Sequence, residues 1–277
     1  MQRTHLAFHH DAHLHKLQVA VTAVRPLASI DEADRALFKL PGGEDGSNHH
    51  VVVTDSTIFH PQGGGQPSDV GSMIKGADGP SFAVEMVRTS ASPSSPGAVL
   101  HFGKFAGSSS STFEAGDAVE QRIDADKRLL YSRYHTAGHV LGSAVRHLLE
   151  GEVAGFDETK ASHFPDSAAC EFAGSIEGRW KDAIQQRVDE YVARDMPVEI
   201  EWWDEDDFRA HGLERLIPDR AAMGMAEGDK FRVVNIVGAE VYPCGGTHVD
   251  STKLCGQTNV KKIGRSKGTS RVSYVLP

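Results

Sequence analysis

The character of this sequence changes near residue 120, and that change constrains the fold more than any other feature. Before this point, Val- and Ile-rich segments at 17–24 and 49–58 are separated by clusters of Gly, Pro and Asp. Such a pattern is typical of short strands joined by turns, and it indicates a small β-barrel or sandwich. Residues 90–97 and 107–112 are rich in Ser, Pro and Gly and predict mobile surface loops.

Helical periodicity replaces this pattern in the second part of the chain. Apolar side chains recur at helical spacing over 126–149, and a second helix is predicted at 176–195. Segments 231–237 and 271–276 have the composition of strands. We therefore predict an α+β protein, in which an all-β domain is followed by an α+β domain.

Composition describes an ordinary soluble globular chain, with 39% hydrophobic and 24% charged residues. A transmembrane helix is not expected, because no run approaches 18 apolar residues. Residues 1–15 have no apolar signal-peptide core, so we expect a cytoplasmic protein. Three scattered cysteines are too few for a disulfide framework, and any of them could be a metal ligand.

The distribution of charge matters more than its total. A net charge of −9 alone argues against a nucleic-acid partner. Residues 251–277, however, contain six Lys or Arg and no Asp or Glu, while acidic residues gather around 199–207. Phosphate binding requires only a local basic face, so this segment is a candidate nucleic-acid contact. The alternative is a solvated basic segment without a partner.

Fifteen histidines make accidental pairs common, so structural context has to decide among them. The spacing H-x-x-x-H occurs at His5/His9, His9/His13 and His135/His139, and roughly one such pair is expected by chance. The pair His135/His139 lies in the predicted helix, where residues four apart share a face. These two imidazoles can converge on one cation, or they are helix histidines hydrogen-bonded to neighbours.

A second pair, Cys244 and His248, occurs in Tyr-Pro-Cys-Gly-Gly-Thr-His. Its chance expectation is only about 0.2, which makes it the sharper signal. Three imidazoles and one thiolate from two distant pairs suit tetrahedral zinc, against the alternative of a turn cysteine and a surface histidine. Thr136 stands where a zinc metalloprotease needs Glu as general base, which excludes that class of enzyme.

Three consecutive glycines, Gly63, Gly64 and Gly65, lie between polar residues. Such a run allows close approach of a ligand to the backbone and leaves its N–H groups available to an anion. A tight turn between strands explains the same residues, and on residues alone it is the favoured interpretation. No Gly-Lys-Ser/Thr follows, so a nucleoside-triphosphate loop is not supported.

Together, these motifs resemble the AlaX family, the free-standing relatives of the editing domain of alanyl-tRNA synthetase. The motifs are His135-Thr-Ala-Gly-His139, Cys244-Gly-Gly-Thr-His248 and Gln62-Gly-Gly-Gly-Gln-Pro-Ser-Asp69. The similarity extends to residues 116–124 and 267–274, and more loosely to 6–24, so it covers nearly the whole chain. A glycine-rich segment ahead of the predicted zinc domain resembles the medium-length members of the family.

The resemblance implies a small β-barrel with the Gly-rich segment at 1–120, then an α+β editing domain with an antiparallel sheet and zinc at 121–277. It implies that one Zn²⁺ per chain is bound by four side chains: His135, His139, Cys244 and His248. Local candidates for catalytic residues are Thr159, Lys160 and Ser162. We expect tRNA to contact the glycine run and the basic segment: Gly63, Gly64, Gly65, Lys261, Lys262, Arg265, Lys267 and Arg271.

The implied activity is hydrolysis in trans of mischarged Ser-tRNA(Ala), with Gly-tRNA(Ala) as a further substrate, for translational fidelity. A synthetase pocket built for alanine cannot strongly reject either amino acid, so a second site is needed. No segment resembles the aminoacylation domain, so neither ATP-dependent ligation nor a nucleotide cofactor is expected, and no membrane partner is implied. Two alternatives stay open: a non-catalytic, zinc-stabilised tRNA-binding module, and an unrelated zinc hydrolase of small esters.

Overall fold

The computed structural model describes residues 2–40, 42, 44–106 and 112–277, and the chain divides into two compact units. The first unit is Met1–Gly63 with Ser68–Arg128, and the second is Gly64–Pro67 with Leu129–Pro277. Part of the glycine segment therefore belongs to the second unit. The boundary between domains that we place near residue 120 stays a prediction.

Within the described residues, the first unit contains eight strands and a short helix: β1 (His5–Leu6), β2 (Lys16–Pro26), α1 (Glu32–Arg35), β3 (His49–Thr54), β4 (Ser56–Thr57), β5 (Gly71–Ile74), β6 (Ser81–Thr89), β7 (Val99–Phe105) and β8 (Ala118–Ile123), with short 3-10 helices at Ala7–His9 and Leu27–Ser29. Six of the strands form a closed, antiparallel barrel in the order β2-β3-β7-β6-β5-β8, and β1 pairs in parallel with β4. Val52, Met73 and Phe82 are fully buried in its core. The strands of this region thus form a closed barrel and not a sandwich.

The predicted loop at 90–97 is less exposed than its composition suggests. Ser92 and Ser95 are buried, and the Ser90 hydroxyl and the Ala91 amide donate hydrogen bonds to the Asp34 carboxylate. The prediction of a mobile surface loop is therefore wrong at Ser92 and Ser95, because this carboxylate anchors the segment. Most of the other predicted loop, 107–112, lies outside the described residues.

The elements of the second unit are α2 (Ala125–Leu149, of which the first turn belongs to the first unit), β9 (Asp157–Ser162), β10 (Ala169–Ala173), α3 (Lys181–Ala193), β11 (Val198–Trp203), α4 (Glu205–Ala210), β12 (Phe231–Ile236), β13 (Glu240–Pro243), β14 (Asn259–Ser266) and β15 (Thr269–Val275), with 3-10 helices at Gly178–Trp180, Glu214–Leu216 and Thr252–Cys255. The strands form two antiparallel sheets, in the orders β14-β15-β10-β9 and β11-β12-β13.

One hydrophobic core joins the long helix α2 to the four-stranded sheet. Val140 and Leu141 of α2 share this core with Phe172 of β10 and Val272 of β15. Strand β15 alternates between buried and half-buried residues, as expected for a strand with one face on a core. The predicted α+β class is confirmed. Across the described ranges, none of the helices combines the length and apolarity needed to span a bilayer.

Candidate metal centre

The four predicted ligands come together in the second unit. Helix α2 places His135 and His139 one turn apart on the same face, while Cys244 and His248 follow the end of β13. The candidate ligand atoms of the four side chains all lie within 4.8 Å of one another. The three histidines are buried and the cysteine is half-buried. Two pairs that are distant in sequence therefore form one compact donor set.

Two of the spacings within this set match those of a tetrahedral zinc site. With Zn–S of about 2.3 Å and Zn–N of about 2.1 Å, tetrahedral angles separate the sulfur and nitrogen ligands by about 3.6 Å. The Sγ atom of Cys244 lies 3.5 Å from Nε2 of His135 and 3.4 Å from Nε2 of His248. Three imidazole nitrogens with one thiolate are also a donor set that zinc prefers.

The hydrogen bond of His135 fixes which of its nitrogens can bind a cation. Nδ1 of His135 lies 2.7 Å from Oε1 of Gln66, which also accepts from the Thr247 amide at 3.0 Å. A carbonyl oxygen only accepts, so Nδ1 carries the hydrogen and donates it. Nε2, the atom that faces Cys244, therefore keeps its lone pair for a metal.

Thr136 fixes His248 in the same way. Its hydroxyl donates to the carbonyl of Ser132 at 3.0 Å and accepts from the Val249 amide at 3.1 Å. A hydroxyl has a single hydrogen, so Nδ1 of His248, 3.0 Å from Oγ1 of Thr136, must be the donor of that contact. The Thr that excludes a metalloprotease thus orients a ligand.

His139 differs from the other two imidazoles. Its Nδ1 is buried and has no hydrogen-bond partner within the part of the chain that the structure describes. The Tyr242 ring packs on the imidazole with 4.3 Å between centroids. Burial lowers the pKa of His139 well below 6.5, and electrostatic interaction with His163 and Arg232 lowers it further. The side chain therefore stays neutral, as a metal ligand must be.

The thiol of Cys244 accepts a hydrogen bond from a nearby backbone amide and lies close to a guanidinium. Burial raises its pKa, while the Gly246 amide, which donates to Sγ at 3.4 Å, and the Arg232 guanidinium lower it. Gly246 also has no room for a side chain, since a Cβ there would lie 2.2 Å from Cε1 of His135. The second glycine of the Cys-Gly-Gly-Thr-His motif, Gly246, is therefore required because its backbone packs closely on the His135 ring.

The glycine run reaches this unit through Gly65. Its φ is +79°, and a Cβ would lie 2.5 Å from the carbonyl oxygen of Ala161. The carbonyl of Gly65 accepts a hydrogen bond from the His163 amide at 2.8 Å. Gly64 also has positive φ but faces open space, and Gly63 belongs to the first unit. Close backbone approach is thus a property of Gly65, and the expected role of the run in tRNA binding stays a prediction.

The polar candidates on β9 are displaced by a bulge. Lys160 pairs with Glu171 and Glu158 with Phe172, so Thr159 is an extra residue on this strand. Thr159 and Lys160 are exposed, and the Thr159 hydroxyl donates to the carbonyl of Glu171 at 3.1 Å. Ser162, at the end of β9, is half-buried. The assignment of these three residues to catalysis stays a prediction.

The predicted basic residues lie on the hairpin of β14 and β15. Four of them are exposed: Lys261, Lys262, Arg265 and Lys267. Arg271 is instead engaged within the unit, because its guanidinium lies 2.9 Å from the Glu171 carboxylate and donates to the Ser167 carbonyl at 2.8 Å. The exposed four are therefore the better candidates for phosphate contacts.

Several residues around the metal centre escaped the sequence analysis. The imidazole of His163 stacks on His135 at 4.2 Å, and its Nδ1 lies 2.8 Å from the hydroxyl of Tyr274. Burial lowers the pKa of His163 to about 4. Gln66 and Tyr242 contact His135 and His139 as described above, and although both lie inside motifs quoted from the sequence, nothing in those motifs assigns them this contact. No spacing rule could have connected these residues to the ligands.

Comparison with known proteins points in one direction. Residues 231–273 match the model of the threonyl and alanyl tRNA synthetase second additional domain. The alanyl-tRNA editing protein AlaX-M of Methanosarcina barkeri is 31% identical over 81% of this chain and 88% of its own length. The alanyl-tRNA editing protein AlaX-L of Pyrococcus horikoshii is 29% identical over 80% of this chain and 50% of its own length.

Longer proteins share the same region. The alanine–tRNA ligase of Methanopyrus kandleri is 30% identical over 90% of this chain but only 26% of its own length. The chain thus spans about half the length of AlaX-L and about a quarter of the ligase. The similarity covers most of this chain in each case, and both of its units.

Proposed function

This chain belongs to the AlaX family of alanyl-tRNA editing proteins, and from that premise we propose that it is a zinc-dependent deacylase of mischarged tRNA(Ala). The proposed reaction is hydrolysis in trans of the ester that joins serine, or glycine, to the terminal ribose. One observation carries this proposal most strongly. In a protein of this family, three imidazoles and one thiol have their ligand atoms within 4.8 Å of one another.

The proposed zinc ligands are His135, His139, Cys244 and His248. A zinc ion held by them supplies a Lewis acid that can polarise the ester carbonyl or orient the aminoacyl group. Gln66 and Thr136 hold two of the imidazoles with Nε2 towards the centre, through the hydrogen bonds at Nδ1. Such contacts typically change metal affinity 10- to 100-fold when removed, so these residues position the ligands.

Exposed cations on the β14–β15 hairpin support tRNA as the partner. Lys261, Lys262, Arg265 and Lys267 lie close together in sequence and are exposed. Each contact between such a side chain and a phosphate releases counterions and strengthens binding without reading sequence. In the proposed function this hairpin contacts the tRNA backbone, and the metal centre contacts the aminoacyl end.

Deacylation of purified substrates tests the proposal. We expect Ser-tRNA(Ala) to be hydrolysed at least about 100-fold faster than Ala-tRNA(Ala), because a site built to hydrogen-bond a hydroxyl leaves polar groups unpaired with alanine. The variant His139→Ala should lower the rate on the seryl substrate more than about 100-fold, as expected for several kcal/mol of lost stabilisation. His147→Ala, the same change on the same helix but outside the ligand set, is the matched control.

The alternatives give different results. Equal rates on the seryl and alanyl substrates would contradict an editing role. Binding of tRNA(Ala) without hydrolysis of either ester would favour the non-catalytic tRNA-binding module. Hydrolysis of small esters with no preference for tRNA would favour an unrelated hydrolase.

A further inference from the structure

A carboxylate with one buried oxygen lies on β9, close to the helix that carries two of the proposed ligands. The Glu158 side chain faces α2, and its Oε2 is buried without a hydrogen-bond partner in the described ranges of the chain. Arg146 on α2 lowers the pKa of Glu158, but its guanidinium forms ion pairs with the carboxylates of Glu150, Asp157 and Glu240. A buried acceptor that is left unsatisfied destabilises a fold, so this oxygen calls for a ligand or a function.

The position of the carboxylate relates it to the metal centre. A Cβ on Gly142 would lie 2.8 and 2.9 Å from the two carboxylate oxygens and 3.0 Å from the Tyr242 hydroxyl. Gly142 is three residues beyond His139 on α2, and the Tyr242 ring packs on the His139 imidazole. The carboxylate thus lies about one helical turn from a proposed ligand. We call Gly142, Ser143, Glu158 and Tyr242 the Gly142 cluster.

The hydrogen bonds of the Gly142 cluster leave it rich in acceptors. The Ser143 hydroxyl donates to the carbonyl of His139 at 3.0 Å, and the Tyr242 hydroxyl donates to the same carbonyl at 3.3 Å. Both hydroxyl hydrogens are therefore used, and the two hydroxyls lie 3.1 Å from each other, so the free acceptor capacity is chiefly that of the carboxylate. A small group with several N–H donors and a positive charge matches such a set. A primary ammonium is such a group.

Electrostatics agrees with this chemistry. Burial raises the pKa of Glu158 to about 7; Arg146 and Arg215 lower it, and Glu240 and Asp157 raise it. The other titratable groups near it are Tyr242 on β13, Cys170 on β10 and Tyr274 on β15, whose pKa values are raised well above their usual ones, chiefly by burial. A cation bound beside Glu158 would favour its charged form and would be attracted most strongly at the buried Oε2.

We infer that Glu158 is the substrate-binding residue whose carboxylate accepts the α-ammonium group of the aminoacyl ester. This inference rests on the proposed function. The ammonium would enter the Gly142 cluster while the ester group lies towards His139, so that Glu158 sets the position of the aminoacyl moiety. A substrate with a neutral group in place of the ammonium loses this contact.

The test uses two tRNA(Ala) esters: the seryl ester, and its analogue with a hydroxyl in place of the α-ammonium. The wild type should hydrolyse the seryl ester at least about tenfold faster than the analogue, chiefly through KM. Glu158→Gln keeps the shape but removes the charge, and it should abolish this preference. The control variant Glu177→Gln, an exposed carboxylate after β10, should keep it.

Each outcome decides the question. Equal loss of activity on both esters in Glu158→Gln would indicate a merely structural role and overturn the inference. So would a wild type without preference. Binding of the matching non-hydrolysable amide-linked pair to the wild type is measured in parallel. A preference for the ammonium form that Glu158→Gln loses would support the inference even where hydrolysis, and with it the proposed function, fails. Equal binding of the two forms would overturn it.

Discussion

Two buried polar clusters in this molecule differ in how completely their hydrogen bonds are satisfied. In the first unit, the Asp69 carboxylate pairs with the Arg128 guanidinium and also accepts from the His60 amide at 2.6 Å. Arg128 further donates to the carbonyls of Ala12 at 2.9 Å and Ile58 at 2.5 Å. Both charged side chains are no more than 2% exposed. This cluster leaves little capacity for a ligand.

In the second unit, the hydrogen bonds of the metal centre and of the adjoining Gly142 cluster are only partly satisfied within the described residues. Gln66 and Thr136 bond the Nδ1 atoms of two imidazoles, whereas Nδ1 of His139 and Oε2 of Glu158 have no partner among the described residues. Buried polar groups that are fully paired stabilise a fold, while unpaired ones destabilise it unless something binds. From this difference we propose a structural role for the Asp69–Arg128 pair and a binding role for the metal centre and the Gly142 cluster.

Breaking the first cluster should give the largest effect on stability. Arg128→Met leaves the Asp69 carboxylate buried without its cation, and we expect the free energy of unfolding to fall by about 3 to 5 kcal/mol. Denaturant unfolding measures this change. Zinc content of the folded fraction should equal that of the wild type. Arg122→Met, at a half-exposed position on β8, should change stability by less than about 0.5 kcal/mol. A comparable loss there would remove the distinction.

In the Gly142 cluster, Glu158→Gln should instead raise the free energy of unfolding relative to the wild type as pH rises. A carboxyl whose pKa is raised by folding, here from 4.5 to about 7, binds its proton more tightly when folded. Its ionisation therefore destabilises the fold as pH rises above 4.5, and the loss is complete above about pH 7. Relative to the wild type, the variant should gain about 3 kcal/mol between pH 4 and pH 9. Unfolding at several pH values measures the gain, and a constant difference would contradict it.

A smaller effect, on metal affinity, should follow from removing the hydrogen bond that orients His135. Gln66→Leu removes the acceptor of the His135 Nδ1 hydrogen, and we expect affinity for zinc to fall 10- to 100-fold. Competition with a chelator measures this affinity. Gln62→Leu, earlier in the same glycine segment, serves as the control and should keep wild-type affinity. Unchanged affinity in Gln66→Leu would show that this hydrogen bond does not position the ligand.

The smallest effect concerns the exposed hairpin. Charge reversal of Lys261 and Lys262 should weaken tRNA binding about tenfold and reduce its dependence on salt by about two phosphate contacts. Affinity measured over a series of salt concentrations gives this slope. Reversal of Lys16 and Lys39, exposed lysines of the first unit, should leave the slope unchanged. A slope that is insensitive to Lys261 and Lys262 would mark these residues as merely solvated.

Local patterns in the sequence were enough to select the four candidate ligands that the structure brings together. His135 and His139 share a helical face that periodicity reveals, and the Cys244 and His248 pair lies within a single turn-rich motif. The barrel was predictable only as an all-β region, because closure depends on pairing between β2 and β8, which are distant in the chain. The α+β class followed from the change in periodicity.

The rest depends on contacts that no local pattern encodes. Asp69 and Arg128 are 59 residues apart, so their ion pair exists only in the folded chain. Strict alternation along β9 from Ala161 would turn Thr159 towards α2, and the bulge turns Glu158 there instead. A single extra residue thus decides which polar side chain faces the helix. Sequence alone gives no sign of it.

Metal content tests the central claim most directly, namely that the metal centre formed by His135, His139, Cys244 and His248 binds zinc. Purified wild-type protein should contain about one zinc ion per chain, and Cys244→Ala and His139→Ala should lose it. Cys255→Ala makes the same chemical change at a buried thiol outside the ligand set and should retain the metal. Stoichiometric zinc in both Cys244→Ala and His139→Ala would contradict the claim.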